Sequence, residues 1–208
     1  MIKILAIGDS HIPRRAKNIP VQICDMLEEN VLNGKFDYTF FTGDVISAPR
    51  FMSYLKKITK TEVLIVVGNM DYYGGNRNAP IYQHIEISLE TKEIFTVGLT
   101  HGHQISPRGD HAQLGALAID NNYNVLISGH THKEEVVLTN NGVLLLNPGS
   151  VTGAWSFVAS RNPSIIVLIL NEKTGEIDVF LHQFEIRSSE LREKKSHFIF
   201  RNKTVQKY

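Results

Sequence analysis

Residues 1–11 read MIKILAIGDSH, a mainly apolar run, Ile2–Ile7, that passes directly into Gly8-Asp9-Ser10-His11. A buried strand that ends in glycine and then a polar side chain delivers that side chain to the edge of its sheet. The pattern returns along the chain: Tyr38–Thr42 leads to Gly43-Asp44, Val63–Val67 to Gly68-Asn69, Ile94–Thr100 to His101, and Val125–Ser128 to Gly129-His130. In open α/β sheets ligands bind in the crevice beyond the carboxyl ends of the strands, so these five ends predict one shared site.

Helical segments separate the first strands. Val21–Leu32 carries Ile23, Leu27 and Val31 at four-residue spacing, and Ala48–Ile58 is opened by Pro49. Strand–helix–strand order implies right-handed parallel crossovers. Beyond residue 132 strands are joined by turns instead: Val136–Thr139 and Val143–Leu146 across Asn140-Asn141-Gly142, then Ser164–Leu170 and Ile177–Phe184 across Gly175. The expected fold is therefore an α/β sandwich of two facing mixed sheets flanked by helices, one domain over residues 1–184. Residues 185–208 read as a charged C-terminal extension. Within it, 185–196 (EIRSSELREKKS) suggests a loop or short helix and His197–Arg201 a possible final edge strand.

Composition bounds the function. With 208 residues, 42% hydrophobic, the chain can bury a core, which excludes disorder as its main state. Lys+Arg 22 against Asp+Glu 21 gives no general electrostatic grip on a polyanion, so no nucleic-acid partner is expected. The single Cys24 can form no intramolecular disulfide, which favours a reducing compartment. No apolar stretch approaches the roughly 18 residues that span a bilayer. The expectation is a cytoplasmic protein without direct membrane insertion.

The five strand ends supply Asp9, His11, Asp44, Asn69, His101, His130 and His132. Any one of them alone reads as a turn, a helix cap or a structural histidine. Gly-Asp-x-His, Gly-Asp, Gly-Asn-x-Asp, His-Gly-His and Gly-His-Thr-His together read as a metal site. Mixed Asp, His and Asn donors suit Zn²⁺, Mn²⁺ or Fe²⁺, and the lack of thiolates argues against a closed structural zinc site. Seven donors exceed one tetrahedral ion, so two ions are expected, with the central Asp44 able to bridge them.

The motifs GDSH (8–11), TGDV (42–45), GNMD (68–71), HGHQ (101–104) and GHTH (129–132) resemble the calcineurin-like metallophosphoesterase superfamily over nearly the whole chain. Within it, GDSHIPRR (8–15), HGHQISPRGD (101–110), ISGHTHK (127–133) and NPGSVTGA (147–154) are similar to the family of small retromer subunits, over about residues 1–184. The resemblance implies Asp9, His11 and His132 on one divalent ion (Zn or Mn), Asn69, His101 and His130 on the other, and Asp44 between. One position departs from the phosphoesterase pattern: Met70 stands where a histidine would help protonate the leaving group. General acid catalysis contributes roughly 10²–10⁴-fold, so its loss leaves at best the turnover of substrates with good leaving groups. His103 reads either as a substitute donor or as pocket lining.

The retromer resemblance implies a non-catalytic or very weakly catalytic scaffold in endosome-to-Golgi transport, peripheral on endosomal membranes, with its metal face docked on the complex's α-solenoid subunit. Ile105 and Pro107 would be apolar contacts at that interface. The alternative is an active binuclear-metal phosphodiesterase or phosphatase. Trp155, Phe157 and Val158 form a further apolar cluster, expected beneath the Gly/Ser/Pro-punctuated connection around them. Its other reading is an exposed docking patch for regulators, which the resemblance puts away from the metal face.

Overall fold

Strand β1 (Ile2–Ile7) sends alternate side chains into two different apolar layers. Ile4 and Ala6 join the layer between two sheets, whereas Leu5 and Ile7 join the layer beneath two helices. The computed structural model describes residues 1–208, and this division of β1 runs through all of it.

The first sheet is built on β1, β2 (Phe36–Phe41) and β3 (Thr59–Ile65), all parallel. It continues antiparallel from β1 through β9 (Ser164–Leu170), β10 (Glu176–Glu185), β11 (Glu190–Arg201) and β12 (Thr204–Lys207). The second sheet has the order β4-β5-β6-β8-β7, where β4 is Tyr82–Ser88, β5 Ile94–Thr100, β6 Val125–Ile127, β7 Glu134–Leu138 and β8 Leu144–Pro148. Its β5, β6 and β8 are parallel, flanked by antiparallel β4 and β7. Helices α1 (Val21–Leu32) and α2 (Pro49–Ile58) cover the outer face of the first sheet through Ile23, Leu27, Phe51 and Leu55. The one-turn α3 (Asn69–Tyr73) follows β3, and α4 (His111–Asp120) covers the second sheet through Leu114 and Ala118. The result is the expected α/β sandwich of two mixed sheets flanked by helices. None of its helices is long and apolar enough to cross a membrane.

Three local expectations change. Residues Glu190–Ser196 are strand rather than loop or short helix, because β11 pairs with β10 over ten successive positions, from Glu176↔Ile199 to Glu185↔Glu190. Its charged side chains stay in solvent, so no buried periodicity marks the segment in sequence. Ile105 is not a surface contact: it is buried with Leu114, Tyr123 and Leu126 beneath α4, a helix whose existence the sequence reading missed. Trp155, Phe157 and Val158 are the reverse case, exposed by 46%, 86% and 51%, so no layer covers them.

The C-terminal hairpin contributes to the inter-sheet layer. Phe200 is 1% exposed and meets Phe95 edge to face at 5.1 Å. Truncating a buried phenylalanine typically costs about 3–5 kcal/mol, so Phe200→Ala should lower unfolding free energy by that order in denaturant titration. A loss below about 1 kcal/mol would show that this hairpin is dispensable to the core.

Candidate metal centre

The carboxyl ends of β1, β2, β3, β5 and β6 meet at one edge of the sandwich. Asp9, His11, Asp44 and His132, all buried, bring one donor atom each within 4.8 Å of one another. The tightest approaches are His11 Nε2 to His132 Nε2 at 3.0 Å, His132 Nε2 to Asp9 Oδ1 at 3.3 Å, and His11 Nε2 to Asp44 Oδ2 at 3.4 Å. On the far side of Asp44, His101 Nε2 is 3.7 Å from the same Oδ2 and 3.2 Å from Asn69 Oδ1. His130 completes this half, its ring 5.1 Å from that of His101. All seven side chains singled out in the sequence therefore converge, and Asp44 Oδ2 stands between the two groups.

Backbone strain brings them there. Asp9, His11, Asp44, His130 and His132 all have φ between 48° and 67°, the left-handed region. Each such residue costs about 1–3 kcal/mol unless its surroundings impose it. The bracing is visible: Asp9 N donates to Gly43 O and His11 N to Asp44 O, both at 3.0 Å, and Gly129 N donates to His101 O at 3.0 Å. The motif glycines allow the packing. A Cβ on Gly68 would overlap the Asp44 carboxylate, and one on Gly129 would meet Asp9 Oδ2 and Thr42 Oγ1.

The surrounding hydrogen bonds fit a cation. His101 Nδ1 donates to Thr42 O at 2.6 Å, and His132 Nδ1 to Ala154 O at 2.9 Å. A carbonyl oxygen only accepts, so each Nδ1 carries the proton and each Nε2 turns a lone pair to the site. Asp9 Oδ2 accepts from Thr42 Oγ1 and His130 N, both at 3.2 Å, whereas the buried Oδ1 has no hydrogen-bond partner at all. An unpartnered buried carboxylate oxygen among imidazole lone pairs is the donor set a divalent ion would satisfy.

Electrostatics agree for His11 and His130 but not for His132, where burial is outweighed by Asp9 and the Ala154 carbonyl, which raise its pKa and favour a proton that a cation would have to displace. Burial pushes the imidazoles of His11 and His130 down to about 3, against the pull of Asp9, so both are neutral and available as donors at neutral pH. Burial raises Asp44 to about 6, with the charge of Asp9 adding to it and His101 opposing. For Asp9 burial works upward, but His132, His101 and His11 outweigh it and hold the carboxyl below its usual range.

Supports not recognised in the sequence lie one layer out. Asp71 is buried and accepts from the amides of Ile46 and Gly68 at 2.8 and 3.1 Å, holding the Asp44 and Asn69 loops together. Ser150 Oγ donates to Asp9 O at 2.7 Å and Thr152 Oγ1 to Ser10 O at 3.0 Å, which gives the quoted NPGSVTGA segment its structural role. His103 lies beside the site, its ring 5.5 Å from His101, with a buried Nδ1 that has no partner. Pro107 is exposed on the neighbouring loop. Trp155 follows the carbonyl that accepts from His132 Nδ1, the ring nitrogen turned away from the cluster.

A family profile described as "Calcineurin-like phosphoesterase superfamily domain" matches residues 2–173. The chain belongs to that superfamily. A "Probable metallophosphoesterase" of Methanothermobacter thermautotrophicus is 36% identical over 173 residues, covering 83% of this chain and 88% of the relative. Among solved structures, Vacuolar Protein Sorting 29 from Cryptosporidium parvum is 30% identical with a TM-score of 0.80, covering 96% of this chain and 98% of that one. Wild-type Vps29 of Entamoeba histolytica, solved with Zn²⁺, is 28% identical with a TM-score of 0.77 over 94% of this chain and 99% of that one. The fold is thus Vps29-like, and superfamily membership with the buried Asp/His cluster supports divalent-metal binding.

Added Mn²⁺ or Zn²⁺ at about 100 times its Kd should stabilise the protein by about 2.7 kcal/mol. That corresponds to a melting-temperature rise of roughly 5–10 °C. Gly68→Ala, which forces a methyl group into the Asp44 carboxylate, should abolish the rise, as should the nearly isosteric Asp44→Asn. A full metal-induced rise in folded Asp44→Asn would remove Asp44 from the site.

Proposed function

We propose that the chain is a metal-ordered docking subunit of the Vps29 type, with little or no catalytic turnover, that seats its metal edge on an α-solenoid subunit of a retromer-like complex. In this reading Asp9, His11 and His132 would hold one ion and Asn69, His101 and His130 the other, with Asp44 between the two groups. Zn²⁺ or Mn²⁺ would supply charge to neutralise the buried carboxylates and the Lewis acidity on which phosphoester chemistry draws. The cellular place that follows is the cytosolic face of endosomes, reached through the complex.

Met70 is the observation that carries this reading. Its amide donates to Asp44 Oδ1 at 2.8 Å, so the backbone still anchors the central carboxylate. The thioether beyond has no proton to give a leaving group. A site that keeps its metal donors and lacks its acid favours binding over turnover. The docking contact on the Gln104–Asp110 loop falls to Pro107, since Ile105 is buried in the core. The exposed Trp155, Phe157 and Val158 add apolar area on the same edge.

A second reading, a metal-dependent phosphodiesterase, is favoured by His103. Its buried Nδ1 is unpartnered beside the site, whereas burial, with His101 adding to it, lowers its pKa and leaves less of the ring protonated to act as an acid at neutral pH. In that reading the seven donors would hold the ions, whose positive charge would bind and orient the phosphate, and His103 would stand in for the missing acid.

Kinetics separate the two. Wild type should turn over an activated aryl phosphodiester slowly and an unactivated one undetectably, while Met70→His should raise turnover at least tenfold. Vigorous wild-type hydrolysis of the unactivated diester, lost in His103→Ala, would establish the second reading. For docking, Pro107→Glu should reduce capture of a purified retromer α-solenoid subunit about tenfold without shifting the melting temperature. Absence of capture by wild type would overturn the docking function.

A further inference from the structure

Docking gives the apolar trio a role but leaves the charge and the remaining aromatics of this edge unexplained. Trp155 and Phe157 pack edge to face at 4.9 Å, and across the site Tyr72 and Tyr73 do the same at 6.1 Å. Phe157 and Tyr73 are 86% and 79% exposed. Arginines join the two pairs. Arg15 Nη1 donates to Trp155 O at 2.8 Å, and the Arg14 guanidinium reaches to within 4.0 Å of where a Cβ on Gly74 would sit, directly after Tyr73. Arg77 closes the far end, lying over the Tyr72 ring at 4.1 Å.

This band is anchored to the metal cluster along its length. Arg14 and Arg15 follow His11, with Arg15 N donating to His11 O at 2.9 Å; Tyr72 and Tyr73 follow Asn69 on α3; Trp155 follows the carbonyl that holds His132. Its charge is uncompensated. Arg14, Arg15 and Arg77, like most basic side chains of this protein, have no carboxylate within ion-pair distance, and here three of them gather beside exposed aromatic rings. The near-neutral total of the chain averages over this local concentration.

We propose that this aromatic–arginine band is a binding surface for single-stranded nucleic acid, whose bases stack on Phe157, Trp155 and Tyr73 while its phosphates lie along Arg14 and Arg15. Alternation of flat rings with guanidinium groups matches the alternation of bases with phosphates. The aromatics are open to solvent, Phe157 and Tyr73 the most so. They offer faces for stacking rather than a socket for peptide side chains. The surface goes beyond the docking reading and requires no turnover.

Trp155 is the only tryptophan in the chain, so its fluorescence reports stacking directly. With EDTA present to exclude hydrolysis, a ten-nucleotide oligo(dT) should quench it and bind with an affinity that falls as salt rises. Phe157→Ala and Tyr73→Ala should each weaken binding on the order of tenfold, and Arg14→Gln should reduce the slope of log affinity against log salt by about 1. A polyglutamate of equal length should neither quench nor compete. Absence of quenching by oligo(dT), undiminished binding by folded Phe157→Ala, or equally tight binding of polyglutamate would each overturn the proposal, the last in favour of an acidic protein partner. Because the assay is metal-free, a failure here leaves both the metal site and the docking function standing.

Discussion

A carboxylate oxygen buried without a donor is the constraint around which this molecule is arranged. Asp9 Oδ1 lies within 3.9 Å of His11 Nε2 and 3.3 Å of His132 Nε2, and neither ring offers it a proton if Nε2 is to be a ligand. Leaving such a group unpaired in a low-dielectric interior costs more than a surface ion pair can return. Asp44 brings a second carboxylate to the same space, and burial, with the charge of Asp9 adding to it, raises its pKa. A divalent cation would relieve the two carboxylates together, which would couple the stability of the protein to this edge.

Holding the donors in that arrangement sets the loop chemistry. Five of the seven lie in the left-handed region, where Asp and His are better tolerated than bulky or β-branched residues. Glycine precedes Asp9, Asp44, Asn69 and His130, and at Gly8, Gly68 and Gly129 an added Cβ would run into Thr42, Asp44 or Asp9. The glycines therefore serve the site by absence of volume. Strain of this kind persists because the parallel strands behind it are packed on both faces and cannot relax outward.

That coupling explains what could be read from sequence. Val21–Leu32, Ile94–Thr100 and Ser164–Leu170 are bounded as the pattern of apolar residues suggested, because the helix buries one face at its own period and the two strands are apolar runs buried almost throughout. The ligands were legible since Gly-Asp, Gly-Asn and Gly-His state both the close approach and the donor. Features decided by what packs on top were not. Ile105 is buried because α4 passes over it, and Phe157 is exposed because nothing does; each is an apolar residue in a loop, and sequence offers no sign of its cover. β4 escaped notice as an edge strand with mostly polar outward residues. The unpaired Arg14 and Arg77 were hidden in a net charge that counts paired and unpaired groups alike.

Metal binding and phosphoryl transfer make separable demands on this edge. The first needs donors with protons directed away, which the Thr42 and Ala154 carbonyls arrange for His101 and His132. The second needs, besides, a group that carries a proton towards the leaving oxygen, and Met70 supplies only its amide. Substituting that one side chain leaves every contact to the carboxylates intact, because the position holds Asp44 through backbone. A phosphoesterase fold can thus lose its acid without losing its metal-ordered surface. What remains is an edge flanked by Trp155, Phe157, Arg14 and Arg15, cations and aromatic faces set beside loops that Asp71 and the backbone hydrogen bonds brace.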